Sequence, residues 1–286
     1  MCRFVLYQGP PLILSSLISR PENSLIHQSF QSELREEPLN GDGFGLAWYV
    51  PEVRPEPALF RSISPAWSNQ NLQHLADVTR SRTILAHVRA ATMGLPVTET
   101  NTHPFTWRRY AFMHNGDVGG FAKLRRTLLN ELDDESFGMI RGTTDSEHLF
   151  ALFAREVVRH GEPDSAEGLA ACLQAAIDRI FELAKGAAVT QPHYLNLALS
   201  DGTRSVACRV TNDKPGNAST LFVHAGKRYT CDGGLCRMVE PGEDGHAVIV
   251  SSEPLSRDPG WESVAANEMI LIERTGGVTR RPLHHK

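Results

Sequence analysis

The chain begins Met1-Cys2-Arg3-Phe4-Val5-Leu6-Tyr7-Gln8, and the reading of this octapeptide decides how the rest is understood. Cysteine has a small side chain, so aminopeptidase removal of Met1 leaves Cys2 as the new N-terminus. One residue then carries a thiol and a free α-amine. A thiol of pKa about 8.5 is mostly protonated near neutral pH, and the thiolate is the nucleophile. An α-amine of pKa about 7.7–8.0 is partly free at the same pH and serves as a base for it. The apolar and aromatic residues that follow read as a buried strand that holds the end still. Taken alone, Cys2 reads as a chance cysteine at a frayed terminus, so the other parts of a site have to come from elsewhere in the chain.

Composition narrows the choice. The 286 residues carry 29 Lys and Arg against 33 Asp and Glu, a net charge of −4, with 41% apolar residues. That is enough for a sizeable core, and no basic patch favours nucleic acid. No apolar run reaches the roughly 18 residues of a membrane helix. Leu12 to Ile18 resembles a weak signal core but lacks a basic flank. Five widely spaced cysteines do not describe a disulfide framework, so a reduced, cytoplasmic setting is expected. Cys231 and Cys236, near His224 and His246, bracket Asp232-Gly233-Gly234-Leu235, which reads as a turn between strand ends rather than a zinc site; no metal or cofactor is expected. Cys172 and Cys208 fall on apolar patterns and are expected in the core.

Along the chain, Pro10-Pro11 is expected to break the first strand. Gly41, Gly43 and Gly45 lead into a strand ending at Val50, with Asp42 placed to hold the turn. Asn69 to Arg80 has a helical face, and Thr83 to Val88 is an apolar strand that runs into Arg89-Ala90-Ala91-Thr92. The strand Tyr110 to Met113 meets His114-Asn115-Gly116, then a helical face. This places Asn115 and Gly116 in a strand-to-loop turn, where an amide side chain and a backbone N–H form an oxyanion hole. Thr144-Asp145-Ser146-Glu147 has capping-box spacing, and a charge at a helix N-terminus is the default role for Asp145. Strands dominate from Pro192 onward. The order of strands, helices and strands predicts two antiparallel sheets with helices packed outside, in a single domain spanning 1–286.

As a set, these residues suit attack on an amide. Cys2 is the nucleophile with its own amine as base. Asn115 and Gly116 hold the oxyanion, Arg89 grips a carboxylate and Asp145 an ammonium. An amide flanked by both charges is a γ-glutamyl compound.

Met1-Cys2-Arg3, His87 to Thr92, Asn101-Thr102-His103-Pro104-Phe105, His114-Asn115-Gly116 and Thr144 to Glu147 resemble, in order and spacing, the class II glutamine amidotransferases. The resemblance implies the N-terminal nucleophile hydrolase fold, an α+β four-layer αββα sandwich of two antiparallel sheets. It implies Cys2, Asn115 and Gly116 as catalytic residues, and Arg89, Thr92, His103 and Asp145 as substrate-binding residues. Val250 to Leu255 and Trp261 are similar to the stand-alone branch, and within it Gln28 to Phe30, Asn40 to Gly45 and Ser64 to Leu72 resemble a fungal glutathione-degrading subunit, to which bacterial γ-glutamyl hydrolases of ergothioneine synthesis are related. Met93 stands where sugar-phosphate amidotransferases have histidine, which shifts the expectation from glutamine towards other γ-glutamyl compounds. An ammonia acceptor site either lies on a partner or does not exist, which leaves room for a peptidase-like or synthase subunit as a protein partner beside the γ-glutamyl substrate. Two alternatives to hydrolysis are a glutaminase subunit that feeds ammonia to a separate synthase and a non-catalytic γ-glutamyl-binding subunit.

Overall fold

A computed structural model describes residues 2–34, 39–91, 94, 96–242 and 246–283. The strands are β1 (Arg3–Ile13), β2 (Phe44–Trp48), β3 (Ala58–Ser62), β4 (Arg80–Val88), β5 (Phe105–Trp107), β6 (Tyr110–Asp117), β7 (Tyr194–Ser200), β8 (Ser205–Thr211), β9 (Phe222–Asp232), β10 (Leu235–Pro241), β11 (Ala247–Ser251), β12 (Glu262–Ser263), β13 (Glu268–Ile272) and β14 (Val278–Pro282). The α-helices are α1 (Ser15–Ile18), α2 (Leu25–Phe30), α3 (Gln70–Val78), α4 (Phe121–Leu129), α5 (Asp134–Gly138), α6 (Asp145–His160) and α7 (Ala166–Gly186). One sheet runs β10-β9-β11-β1-β4-β2-β3 with β12 beside β9, and the other β14-β13-β8-β7-β6-β5. All their pairings are antiparallel.

The period-two pattern of the strands explains the layering. In β1, Phe4 and Leu6 face inward, joining Leu85, Ala111, Met113, Ala198, Val248 and Val250 in a core between the two sheets. Val5 and Tyr7 point the other way and pack with the outer helices through Leu17, Leu25 and Leu72. On the far side of the second sheet, Phe112, Leu197 and Val206 meet Phe150, Phe153, Leu173 and Ile177 of α6 and α7. Strands buried on both faces read as continuous apolar runs. The result is the αββα sandwich. Cys172 and Cys208 are buried in it.

Several expectations need correction. Pro10-Pro11 does not end β1: the strand continues to Ile13 across a register shift between Gln8 and Leu12, an irregularity where missing N–H donors are tolerated. Asn115 and Gly116 do not form a turn. They are rungs of β6, opposite Asn196 and Leu195, because pairing with β7 overrides local turn propensity. The spacing of Cys231 and Cys236 is not idle either. They lie directly opposite one another in the β9–β10 hairpin and form a disulfide, while the turn between them stands as read. The capping box is half built. Thr144 Oγ1 accepts from Glu147 N at 3.2 Å, but the Glu147 carboxylate accepts from Arg141 N and Gly142 N instead.

Burial leaves histidines in the interior that stay neutral. Desolvation holds His87 down to about 3, and His103, His148 and His224 also lie below the ordinary histidine range, chiefly for the same reason. The unfolded chain takes up these protons below about pH 6.5 and the native state does not, so stability falls as pH drops through that point. Each such histidine contributes up to about 1.4 kcal/mol per pH unit. Thermal unfolding measured from pH 7.5 to 4.5 is expected to show Tm decreasing steadily below pH 6.5; a flat profile to pH 5 contradicts this.

Candidate active site

The site lies at one open end of the layer between the sheets. Parity places its parts: Phe4 and Leu6 face the layer, and so does Cys2, one step before β1. In β4, Leu85 faces the layer, and His87 and Arg89 continue that row. In β6, Ala111 and Met113 face it and Asn115 follows. A cavity of about 60 Å³ is lined there by Cys2, Arg89, His103, Gly116 and Asp145, with Asn101, His114 and Ser146 among the other walls. Five of the seven residues singled out from the sequence therefore share one cavity. Asn115 is buried next to it in the chain, and Thr92 lies outside the described residues. A larger cavity, about 830 Å³, lies towards the other end of β1, lined by Gln8, Pro10, Arg80, Arg82 and Arg274, and holds none of these groups.

Each side chain has a distinct anchor. The half-buried Cys2 thiol lies 3.5 Å from the Ala90 carbonyl oxygen. Burial pushes that thiol up, and the contact with Ala90 and the positive charge of Arg89 pull it partly back. Arg89 is fixed through its backbone: its N–H donates to Gly43 O at 2.8 Å and its carbonyl accepts from Asp42 N at 3.0 Å. The Asp42 carboxylate accepts from Ala91 N at 2.8 Å, so it braces the Arg89 turn rather than its own. Gly45 has to be glycine because a Cβ would sit 2.2 Å from the carbonyl oxygen of His103, which crosses over it.

Several buried polar atoms here have no hydrogen-bond partner among the described residues: Arg89 Nη1, both side-chain atoms of Asn115, and both ring nitrogens of His103. Such groups are costly, and a cluster of them marks a place where a polar ligand completes the bonding. His103 packs on His87, with ring centroids 4.3 Å apart, and His87 Nε2 donates to His114 O at 3.2 Å. Asp145 is less free than its sequence suggested. Its Oδ2 accepts from Val118 N at 2.7 Å and its Oδ1 from Ser146 N at 2.8 Å. His114 and Ser146, joined by a 2.9 Å hydrogen bond, were not singled out from the sequence, although His114 precedes Asn115 in the quoted motif. Asn101 was also missed; its Oδ1 accepts from Thr143 N at 2.8 Å and so ties its loop to the segment before α6. Of the groups weighed as zinc ligands, Cys231 and Cys236 bind each other and His224 Nε2 meets Asp258 Oδ2 at 3.1 Å.

This fold, with a thiol at the head of a central strand facing a buried arginine and an Asn-Gly pair, belongs to a known class. The sequence profile of the family described as "Glutamine amidotransferases class-II" matches residues 20–283, and the chain is a member of that family. Among individual relatives, it is 38% identical over 294 residues to the probable glutamine amidotransferase DUG3 of Saccharomyces cerevisiae, covering 96% of this chain and 82% of that one. It is 27% identical over 277 residues to a γ-glutamyl-hercynylcysteine sulfoxide hydrolase of Mycobacterium tuberculosis, covering 96% and 94%. The solved structure of a glutamine aminotransferase class-II domain protein from Silicibacter pomeroyi superimposes with a TM-score of 0.67 at 29% identity, over 99% of both chains. The glutamine phosphoribosylpyrophosphate amidotransferase of B. subtilis shares the fold at a TM-score of 0.60 and 14% identity, this chain matching 50% of that one. Among the described residues no helix is long and apolar enough to cross a membrane.

Gly116 offers a direct check of the geometry. A Cβ there would lie 1.7 Å from the Tyr194 carbonyl oxygen on β7. Gly116→Ala therefore has to push β6 and β7 apart, a steric cost of about 1–3 kcal/mol. The variant is expected to melt several degrees below the wild type and to react more slowly at Cys2 with an active-site label; wild-type values for both contradict the assignment.

Proposed function

We propose that this protein hydrolyses the γ-glutamyl amide bond of glutathione-like or related γ-glutamyl compounds through a thioester on Cys2, after removal of Met1. The observation that carries the reading is the single cavity joining Cys2, Arg89, His103, Gly116 and Asp145 from separate segments of the chain. The names of the mycobacterial relatives, which are γ-glutamyl hydrolases, support the same substrate class.

In this reading the α-amine of Cys2 takes the thiol proton as Sγ attacks the γ-carbonyl carbon. Asn115 Nδ2 and the Gly116 N–H donate to the oxyanion that forms, and the unpartnered state of the Asn115 amide leaves it ready to do so. The ammonium then gives its proton to the leaving nitrogen, the C–N bond breaks, and the acyl group remains on sulfur. Water, deprotonated by the same amine, attacks the thioester and releases glutamate. Arg89 holds the α-carboxylate. Asp145, already oriented by Val118 N and Ser146 N, holds the α-ammonium, and Thr92 is taken from the family pattern as a further binder of the γ-glutamyl head. His103 is neutral at pH 7, so it donates or accepts a hydrogen bond to the head group without adding charge. The whole chain works as one domain in this reading, and the Cys231–Cys236 disulfide removes the cysteine argument for a reduced, cytoplasmic setting.

Incubating Met1-free protein with glutamine, glutathione and other γ-glutamyl amides, and separately with 6-diazo-5-oxonorleucine, tests the reading. Glutamate release and a covalent mass increase on Cys2 are expected; no adduct on Cys2 overturns it. Asn115→Ala is expected to lower kcat about 100–1000-fold. Arg89→Lys, which loses the planar fork, is expected to raise KM by roughly tenfold or more, as a charge-assisted hydrogen bond is worth about 1.5–3 kcal/mol. The pH profile of kcat/KM is expected to rise through about pH 7–8 as the Cys2 amine deprotonates, with no inflection near pH 6.5 from the buried His103. A rise centred near 6.5 assigns the base to a histidine instead.

A further inference from the structure

The ladder that fixes β1 begins at Arg3, opposite Val88, so Cys2 lies just beyond the last rung. A nucleophile placed there needs another restraint, and the segment after β11 supplies one. Ser252 brackets Phe4: its N–H donates to Phe4 O at 3.0 Å and its Oγ accepts from Phe4 N at 3.0 Å. The next residue, Glu253, is fully buried, and each of its carboxylate oxygens accepts two hydrogen bonds. Oε1 accepts from Arg3 Nε at 3.0 Å and from Ser32 Oγ. Oε2 accepts from Glu33 N at 3.0 Å and from Asn23 Nδ2 at 3.5 Å. Arg3, itself only 3% exposed at its side chain, passes this restraint on: Nη1 donates to Cys2 O at 3.0 Å and Nη2 to Ser32 Oγ at 2.9 Å.

We infer that Glu253 is a positioning residue for the Cys2 nucleophile and that Arg3 is the arm through which it acts. The inference rests on the reading of Cys2 as nucleophile. Rotation of the peptide between Cys2 and Arg3 swings both the sulfur and the α-amine, the two groups that have to face the scissile carbon together. The bond from Arg3 Nη1 to Cys2 O fixes that peptide, and the Glu253 carboxylate fixes the guanidinium. The same carboxylate holds residues 32 and 33, and Arg3 also bonds Ser32 directly, so the loop after α2 is tied to Cys2 through Arg3 and Glu253. Arg89 and Asp145, which bind the γ-glutamyl head, have no hydrogen bond to this network. Loss of the clamp is therefore expected in the chemical step rather than in binding.

The test uses Met1-free Glu253→Gln, which keeps the shape, and Arg3→Lys, which keeps the buried charge pair but loses the fork. Both are assayed well below their own melting temperatures. Expected are a fall in kcat of about 100-fold, the usual consequence of an ångström-scale misplacement, and a KM unchanged within about threefold. Cys2 is also expected to become more open to a small undirected reagent: alkylation by iodoacetamide speeds up by about threefold or more, while labelling by 6-diazo-5-oxonorleucine slows in step with kcat. A merely structural ion pair lowers Tm and moves neither labelling rate. Wild-type kcat and labelling rates in folded variants overturn the inference, as does a rise in KM with kcat unchanged. If the wild type turns over no γ-glutamyl amide, the functional reading fails by itself, and the iodoacetamide rate still decides whether Glu253 positions Cys2. If Glu253→Gln does not fold, Arg3→Lys decides.

Discussion

A cysteine proposed as a nucleophile just ahead of a strand faces the problem that termini fray. Here the pairing of β1 on both edges answers it. β4 lies along one edge and β11 along the other, with every residue from Val5 to Gln8 in register with both. The inner side chains of the strand, Phe4 and Leu6, are fully buried between the sheets. A segment that would otherwise be mobile becomes part of the most constrained layer of the molecule. The positions of Arg89 at the end of β4 and Asn115 near the end of β6 follow from the same sandwich, since both strands end at the same edge of the layer.

The interior is polar where the site is, and that has a thermodynamic cost. His87, His103, Arg89 and Asn115 are buried with polar atoms unpaired, in a region that elsewhere contains Leu, Val and Ala. Unpaired buried polar groups destabilise by about 1–3 kcal/mol each. The large apolar layers on either side offset this loss, and the packing of the His103 ring, tilted against His87 and edge-on to Phe105, fills the space that the polar groups do not bond across. Asp145 shows the opposite solution: its carboxylate is satisfied by backbone N–H groups and oriented in advance, so its default role as a helix N-terminal charge and a role facing the cavity are compatible.

Much of this was legible in the chain, for identifiable reasons. Two-sided burial makes strands such as Thr83 to Val88 conspicuous, and the helical faces of α3 and α6 follow from the spacing of Leu72 and Ala76 and of Leu149, Phe150 and Phe153. The residues that share the cavity stood in short motifs. What could not be read depended on partners distant in sequence. Nothing local in Asn115-Gly116 announces β7, some eighty residues later, which turns an apparent turn into paired strand. Pro10-Pro11 reads as a break unless the register shift against β4 is known. The spacing of Cys231 and Cys236 was visible, but only the register of their hairpin sets the two thiols opposite each other. His114 with Ser146, and Asn101 with Thr143, are contacts between segments whose proximity no spacing rule predicts.

The position of β11 beside β1 sets a timetable. Val5 is opposite Ser251, so the second edge of β1 is closed by a strand far along the chain. Contacts of such long sequence separation form late, because the loop entropy has to be met before the pairing compensates for it. During synthesis β4 and Ala90 are available to Cys2 early, whereas the Glu253 carboxylate that holds Arg3, and through it the Cys2 carbonyl, is made only much later. The proposed reactivity of Cys2 thus depends on completed folding, and a chain interrupted before Glu253 lacks the contact that holds its peptide.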